Sequence, residues 1–569
     1  MTRLNDRLTA MEQHNALLED QLRQLPLPIV PAFRAGDGVR AVSFDATGDV
    51  LSTADAARVA EMFPQTTVAN AGKVLHGGAP LAQRPSGKRV AVLFSGGPAP
   101  GGHNVVVGLK QMLGSDNLLL GVRGGPKGLL NGRLEPVTDA DVAKIRNSGG
   151  FDYLGTDRTK IKTAEQFAKV REVAVKNALD AIVIIGGDDS NTNAAVLAEE
   201  LFANVHADGR GVQVIGVPKT IDGDLQLGDL LPISFGFDTA TRIYAEMVGN
   251  ILQDSRSSLK YWHFVKLMGR AASHVTLEVA LQAKPAITLI SEEIAAKKLS
   301  LADIIEQIAQ TVVSRAAKGI HHGVLLVPEG LIEFVPEVKS LIDALNEVLA
   351  HADGFAALDE AAKRAFVAGK LDAAHAALFA SLPEYIQDML LADRDSHGNL
   401  QLSLIPTEQL LVDMTRARLK QIDAKIPFAT QCHFFGYEGR CGAPTLFDAA
   451  YTLNLGLTAG ALILAGKTGY MASIGNLFGG GVPLAIPLAG LLNIERRHGS
   501  EAVVIEKALV NIDAPAMQYF VSRRAEWAQA DLFASPGPRQ FWGPVASQVP
   551  LSVALNRKAD DVLFRFGEV

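Results

Sequence analysis

The feature that most constrains this chain is a recurring unit. "KRVAVLFSGG" (88–97), "NLLLGVRGG" (117–125), "DAIVIIGGDDS" (180–190) and "GVQVIGVPKTIDGD" (211–224) are apolar runs ending in glycine or small polar residues. Between them lie "HNVVVGLKQML", "AEQFAKVREVAVKNAL" and "NAAVLAEELFANV", which have the apolar spacing of helices. A strand apolar on both faces must be covered on both, so this alternation predicts a parallel sheet inside a three-layer α/β/α domain. Ligands of such sheets bind beyond the carboxyl ends of the strands, where these glycine turns fall.

A second alternating series begins near Lys260 with "YWHFVKLMGR", "KPAITLISEE" and "GIHHGVLLVPEG". From Leu331 to about Lys425 the pattern is helical, as for an insertion, and the sheet resumes at "FATQCHFFGYEGR". The 569 residues exceed one ordinary hydrophobic core. The expectation is therefore an α/β protein with two Rossmann-like α/β/α domains. Residues 1–87 form a helical extension and 88–257 the first α/β domain. The second spans 258–500 with its insertion at about 331–425, and 501–569 pack on the body as a C-terminal segment. "SPGPRQFWGP" reads as a loop, and the tail after Pro515 is weakly patterned.

At the N-terminus, Leu4, Leu8, Met11, Leu18, Leu22 and Leu25 mark an amphipathic arm, packed on the body or on a second copy. Thr468–Ile494 is uncharged and long enough to span a bilayer, but "FGGGVPLAIP" breaks it, which argues against a membrane helix. The net charge of -7 without a long basic run argues against nucleic acid or an anionic membrane as main partner. Cys432 and Cys441, the two cysteines, lack metal-ligand spacing. A cytoplasmic, reducing location with inert thiols is expected.

Three stretches carry chemistry. In "SGGPAPGGHN" (95–104) glycines let backbone N–H groups approach an anion at a helix start, without the spacing of a Walker A or dinucleotide motif. "GGDDS" places Asp188 and Asp189 side by side where a helix opens. In "GVPKTIDGDL" (216–225) Asp222 and Asp224 lie two apart, on one side of an extended segment, with Lys219 and Thr220 upstream. That set can supply a general base and a charge stabiliser.

In this order, and with "LMGR" (267–270), "VPEG" (327–330) and "GYEGR" (436–440), the stretches resemble the phosphofructokinase family over about residues 88 to 480. Spacing and length are similar to its long, diphosphate-dependent branch. The resemblance implies the phosphofructokinase fold and reversible phosphoryl transfer from diphosphate to the C1 hydroxyl of fructose 6-phosphate, in glycolysis or gluconeogenesis. It places diphosphate at Gly96 and Gly97 with Lys219, and Mg2+ at Asp188. Asp222 becomes the base, supported by Asp224. Thr220, Ile221, Met268, Gly269, Arg270 and Glu329 line the sugar site, with Arg270 counted among the catalytic set. Tyr437, Glu438, Gly439 and Arg440 hold its 6-phosphate end. Lys260 and Tyr261 reach in from a neighbouring subunit, implying a homodimer or larger homo-oligomer with shared sites.

ATP-dependent relatives usually carry glycine at the positions of Asp189 and Lys219. A carboxylate at Asp189 would repel the remainder of ATP, by about 4 kcal/mol for unit charges about 4 Å apart at an effective dielectric near 20. That is roughly a thousandfold against ATP. Diphosphate ends before the clash, so Asp189 reads as a selectivity device. Tyr261 and Gln431 replace arginines common in ATP-dependent relatives, which leaves sedoheptulose 7-phosphate open as an acceptor. Rival readings are an ATP-dependent sugar-phosphate kinase of the same fold and a non-catalytic regulatory subunit. Arg158 and Lys160 are further candidates near the donor, and His103 reads as a packing residue.

Overall fold

The computed structural model describes residues 4–7, 9, 21–36, 38–350, 352, 354–392, 405–497, 500–531, 533–534, 536, 541–543 and 545–567. The chain forms two compact units. The first comprises Met1–Ala240, Glu438–Ala508 and Arg539–Val569; the second comprises Thr241–Tyr437 and Leu509–Pro538.

The first unit is built on a ten-stranded sheet. Its centre is parallel, in the order Tyr470–Gly475, Gln213–Pro218, Ala181–Gly186, Arg89–Ser95, Leu118–Val122. These are the uninterrupted apolar runs, and Ala181–Gly186 is buried at every position, as a sheet covered on both faces requires. The helices Gly102–Leu113 and Asp188–Glu200 open directly after the strands that carry the glycine turns.

Two expectations are corrected here. Residues 1–87 are not a helical extension: Val42–Val50 and Lys73–Pro80 pair antiparallel with each other, and Lys73–Pro80 joins the sheet through Val482–Pro487. Their alternation was weak because Val42–Val50 is exposed from Asp45 onward, as on a sheet margin. The boundary at residue 500 also fails, since the chain re-enters the first unit at Glu438 and leaves it after Ala508. Of the N-terminal arm, Leu8, Met11 and Leu18 lie outside the described residues. Its end rests on the protein's own body, where Asn147 Nδ2 donates to the Leu22 carbonyl at 2.7 Å and Arg146 to that of Leu25 at 3.3 Å.

Thr468–Ile494 supplies two strands rather than a span, Tyr470–Gly475 and Val482–Pro487. One helix among the described residues, Leu446–Leu464, is long and apolar enough to cross a bilayer; 94% of its apolar stretch is buried inside the first unit, as for a core helix. It crosses Gly102–Leu113 at close quarters. A Cβ at Gly108 would fall 2.2 Å from the Leu453 carbonyl oxygen, and one at Gly456 2.2 Å from that of Val105.

The second unit holds a four-stranded parallel sheet, in the order Ile287–Thr288, Gly323–Pro328, Trp262–Leu267, Thr430–Phe435. Residues 331–425 are helical where described, from Leu331–Phe334 to Thr407–Asp423, and their apolar faces share one core with the sheet. Pro515–Ala530, in the weakly patterned tail, is a 16-residue helix that buries Ala516, Met517, Phe520 and Trp527. Most of "SPGPRQFWGP" lies outside the described residues.

Candidate active site

The first unit brings three sequence motifs to one end of its sheet. Arg89–Ser95 runs into Gly96 and Gly97, Ala181–Gly186 into Asp188 and Asp189, and Gln213–Pro218 into Lys219. Parallel register aligns Gly186 with Pro218, so the last two turns emerge side by side. The Ser190 and Ser95 hydroxyls, 2.8 Å apart, join the first two. Lys219 is buried, and its Nζ lies 3.6 Å from where a Cβ on Gly96 would stand. Burial lowers its pKa to about 8, against the pull of Asp222 and Asp188 and with a smaller push from Arg440.

The Asp222–Asp224 segment is not extended, contrary to expectation. Gly223 has φ +72, a left-handed conformation that glycine adopts without steric penalty, and the chain bends between the two aspartates. Asp224 is buried and Asp222 half-buried. The Thr220 hydroxyl accepts the Asp222 amide at 3.0 Å, which fixes the start of the bend. Ile221 is 5% exposed, so its side chain serves the core.

Asp188 and Asp189 occupy the first turn of Asp188–Glu200, where the helix dipole favours carboxylates. Asp189 is exposed. Burial raises the Asp188 pKa above the usual carboxylate range; Asp189 and Asp224 add to this and Lys507 opposes it. Lys507 was not foreseen from the sequence. Its Nζ lies 3.2 Å from Asp224 Oδ2 and 3.8 Å from Asp188 Oδ2. It follows the strand Ser500–Ile505, and nothing in "VVIEKALV" marks it as a site residue.

The glycine turn is more committed than expected. The Gly96 amide donates to the Asp157 carbonyl at 2.9 Å, so it is not available to a ligand in this arrangement. Arginines are at hand instead: a Cβ on Gly97 would stand 3.4 Å from Arg440 Cζ and 3.7 Å from an Arg158 terminal nitrogen. Arg440 was expected at the 6-phosphate end of a sugar; the structure sets it against this turn, with Glu438 and Gly439 in the same unit. Lys160 is exposed. Arg123 is engaged elsewhere, paired with Glu135 at 2.9 Å. His103 is buried and 2.8 Å from the Ser148 hydroxyl, and burial lowers its pKa to about 4, which leaves it a neutral packing residue.

In the second unit Met268, Gly269 and Arg270 follow the strand Trp262–Leu267, and Glu329 follows its neighbour Gly323–Pro328. Buried Glu329 accepts the Gly269 amide at 3.0 Å, so one carboxylate oxygen holds the loop. Arg270 is exposed, and its carbonyl lies 1.9 Å from where a Cβ on Gly330 would stand. Lys260 is exposed over the Tyr261 ring at 5.0 Å, and Tyr261 has φ +74. Tyr437 is 68% exposed. Cys432 and Cys441 are free thiols, and burial pushes the Cys432 pKa up to about 11.

Residues 89–463 match the phosphofructokinase family. The chain belongs to the phosphofructokinase family. It is 48% identical over 504 residues to the pyrophosphate–fructose 6-phosphate 1-phosphotransferase of Treponema pallidum, covering 85% of this chain and 86% of that one. It is 47% identical to subunit beta of the Solanum tuberosum enzyme of the same name, covering 83% of each chain. A pyrophosphate-dependent phosphofructokinase from Nitrosospira multiformis shares the fold: TM-score 0.50 at 15% identity, covering 82% of this chain and 96% of that structure.

Proposed function

We propose that this chain transfers a phosphoryl group reversibly from diphosphate to the C1 hydroxyl of fructose 6-phosphate, giving fructose 1,6-bisphosphate and phosphate, in the cytoplasm. The observation that carries the reading is the charge arrangement of the first unit: Lys219, Asp188, Asp189, Asp222, Asp224 and Arg440 beside a glycine turn. Relatives named for this reaction match more than four fifths of the chain.

In the reaction Asp222 takes the proton of the C1 hydroxyl. The C1 oxygen forms a bond to the nearer phosphorus while the bond to the bridging oxygen breaks, and phosphate leaves with that oxygen. Lys219, Arg440 and Arg158 offset the negative charge spread over the transferring group. Met268, Gly269, Arg270 and Glu329 bind the sugar, and Thr220 fixes the loop that carries the base. Lys260 and Tyr261 serve the site of a neighbouring subunit in a homo-oligomer.

Magnesium fits the residues present. The carboxylates of Asp188 and Asp224 both approach one ammonium, that of Lys507, so a cation position with hard oxygen donors is built. No group of three or more His, Cys, Asp or Glu stands ready for a metal among the described residues. Magnesium needs fewer, since it is usually held by one or two carboxylates with substrate oxygens and water. Bound there by Asp188, it would neutralise diphosphate charge and polarise the transferring phosphoryl group.

Asp189 selects the donor. The test compares diphosphate with ATP in the presence of magnesium and fructose 6-phosphate, for the native protein and Asp189→Gly, following fructose 1,6-bisphosphate. Turnover with diphosphate alone, and measurable ATP use by the variant, is the expected result. Robust ATP turnover by the native protein would overturn the donor assignment.

A further inference from the structure

Lys507 comes from outside the motifs that define the site, yet it touches two of them. Its backbone is pinned on both sides. The Ile505 amide donates to Thr192 Oγ1 at 3.1 Å, on the helix that carries Asp188. The Ala508 amide donates to the Asp224 carbonyl at 2.8 Å. The chain therefore delivers the Lys507 ammonium to the Asp188 and Asp224 carboxylates without freedom in the main chain. Burial works to lower its pKa, but Asp224, Asp188 and Asp222 outweigh it and hold the pKa above its ordinary value. The side chain is 29% exposed, and its flexible four-carbon stem can swing while the backbone stays fixed. Lys219 lacks that freedom, being buried beside the glycine turn.

An ammonium and a divalent cation compete for the same carboxylate oxygens. We propose that Lys507 is a tethered cation that occupies the Asp188–Asp224 pair until metal arrives with diphosphate, so that the free enzyme binds free divalent ions poorly. The inference rests on the reading of Asp188 as the metal residue. Before the donor binds, Lys507 sets one positive charge against two neighbouring carboxylates. When the donor brings its own negative charge, the ammonium has a second anion to turn to and the oxygens are released to the metal. Metal uptake and donor uptake are then coupled through one side chain.

The test is Mn2+ binding by the full-length, diphosphate-free protein, read as loss of the free-ion electron paramagnetic resonance signal. The proteins compared are the native form, Lys507→Gln, Lys507→Arg, Asp188→Asn and the Lys507→Gln/Asp188→Asn double variant. Removing the resident charge should tighten Mn2+ binding by about tenfold or more, given charges within 4 Å at a partly exposed site. Lys507→Arg should bind as the native protein does, and the double variant should lose the gain. Lys507→Met repeats the measurement if circular dichroism shows Lys507→Gln misfolded. Unchanged or weaker binding in Lys507→Gln, with Asp188→Asn still weakening it, would overturn the proposal and leave Asp188 as the metal residue. A gain that survives in the double variant, or no binding by any form, would remove Asp188 from that role and the proposal with it.

Discussion

Lys219 is the residue whose charge state the proposed chemistry depends on most directly. Burial has brought its pKa down to about 8, with Asp222 and Asp188 resisting the fall. Below that pH the ammonium is present to meet the phosphoryl charge, and above it the charge is lost. The expected outcome is that kcat/KM for diphosphate, which reports the free enzyme, declines as pH rises through about 8. Bound diphosphate adds negative charge beside Lys219, so the corresponding decline in kcat should lie at higher pH. In Lys219→Arg the cation does not titrate, and the alkaline decline should move out of the range while the rate drops. A native profile flat beyond pH 9, or a decline that Lys219→Arg leaves in place, would exclude Lys219 as its source. Asp222 makes a separate prediction. Asp222→Asn keeps the shape and removes the base, so kcat should fall by about 10²–10⁴-fold, with KM for the sugar phosphate little changed in initial-rate measurements.

At the scale of elements, the site depends on a helix crossing. Gly102–Leu113 follows the glycine turn and lies on Leu446–Leu464 through Gly108 and Gly456, each 2.2 Å, at the Cβ position, from a carbonyl of the other helix. In an isolated helix Gly→Ala would gain about 1 kcal/mol. Here a methyl group must push two helices apart, so Gly108→Ala and Gly456→Ala should each destabilise by about 1–3 kcal/mol. The measurement is the urea midpoint, and a raised KM for diphosphate should accompany Gly108→Ala, whose helix follows the turn. An unchanged midpoint would mean the crossing relaxes without cost. This crossing could not be read from the sequence, where glycines in apolar segments carry no partner. What was legible has a physical reason: buried parallel strands such as Ala181–Gly186 are continuous apolar runs, and their turns hold the candidate site residues. What escaped has one too. Val42–Val50 is mostly exposed and lacks that run, Gly223 bends a segment read as straight, and Lys507 is a lone lysine whose meaning comes only from tertiary contact with Asp188 and Asp224.

At the scale of the molecule, the chain is five segments in two units and passes between them four times. This is why linear boundaries drawn from composition failed although both α/β units were recognisable: Glu438, Gly439 and Arg440 follow a strand of the second unit and belong to the first. The proposed donor residues, from Gly96 to Arg440, all belong to the first unit, although the chain reaches Arg440 only after passing through the second. The proposal adds a further dependence, on a second copy of the chain, through Lys260 and Tyr261. Lys260 is exposed and held over Tyr261, at a corner where both Leu259 and Tyr261 have positive φ. For non-glycine residues this backbone is costly and is retained only where the surroundings impose it. Shared sites make a prediction that a self-contained chain does not. Asp222→Asn removes the base from its own site, whereas Lys260→Ala spoils the neighbour's. In a mixed dimer of the two, one site collects both defects and the other collects neither. Random pairing from co-expression makes half the dimers mixed, so about a quarter of native activity should return, although each variant alone is nearly inactive. Separately tagged chains, purified through both tags, should raise this to about half. Activity no higher than the average of the two variants would place Lys260 in the site of its own chain.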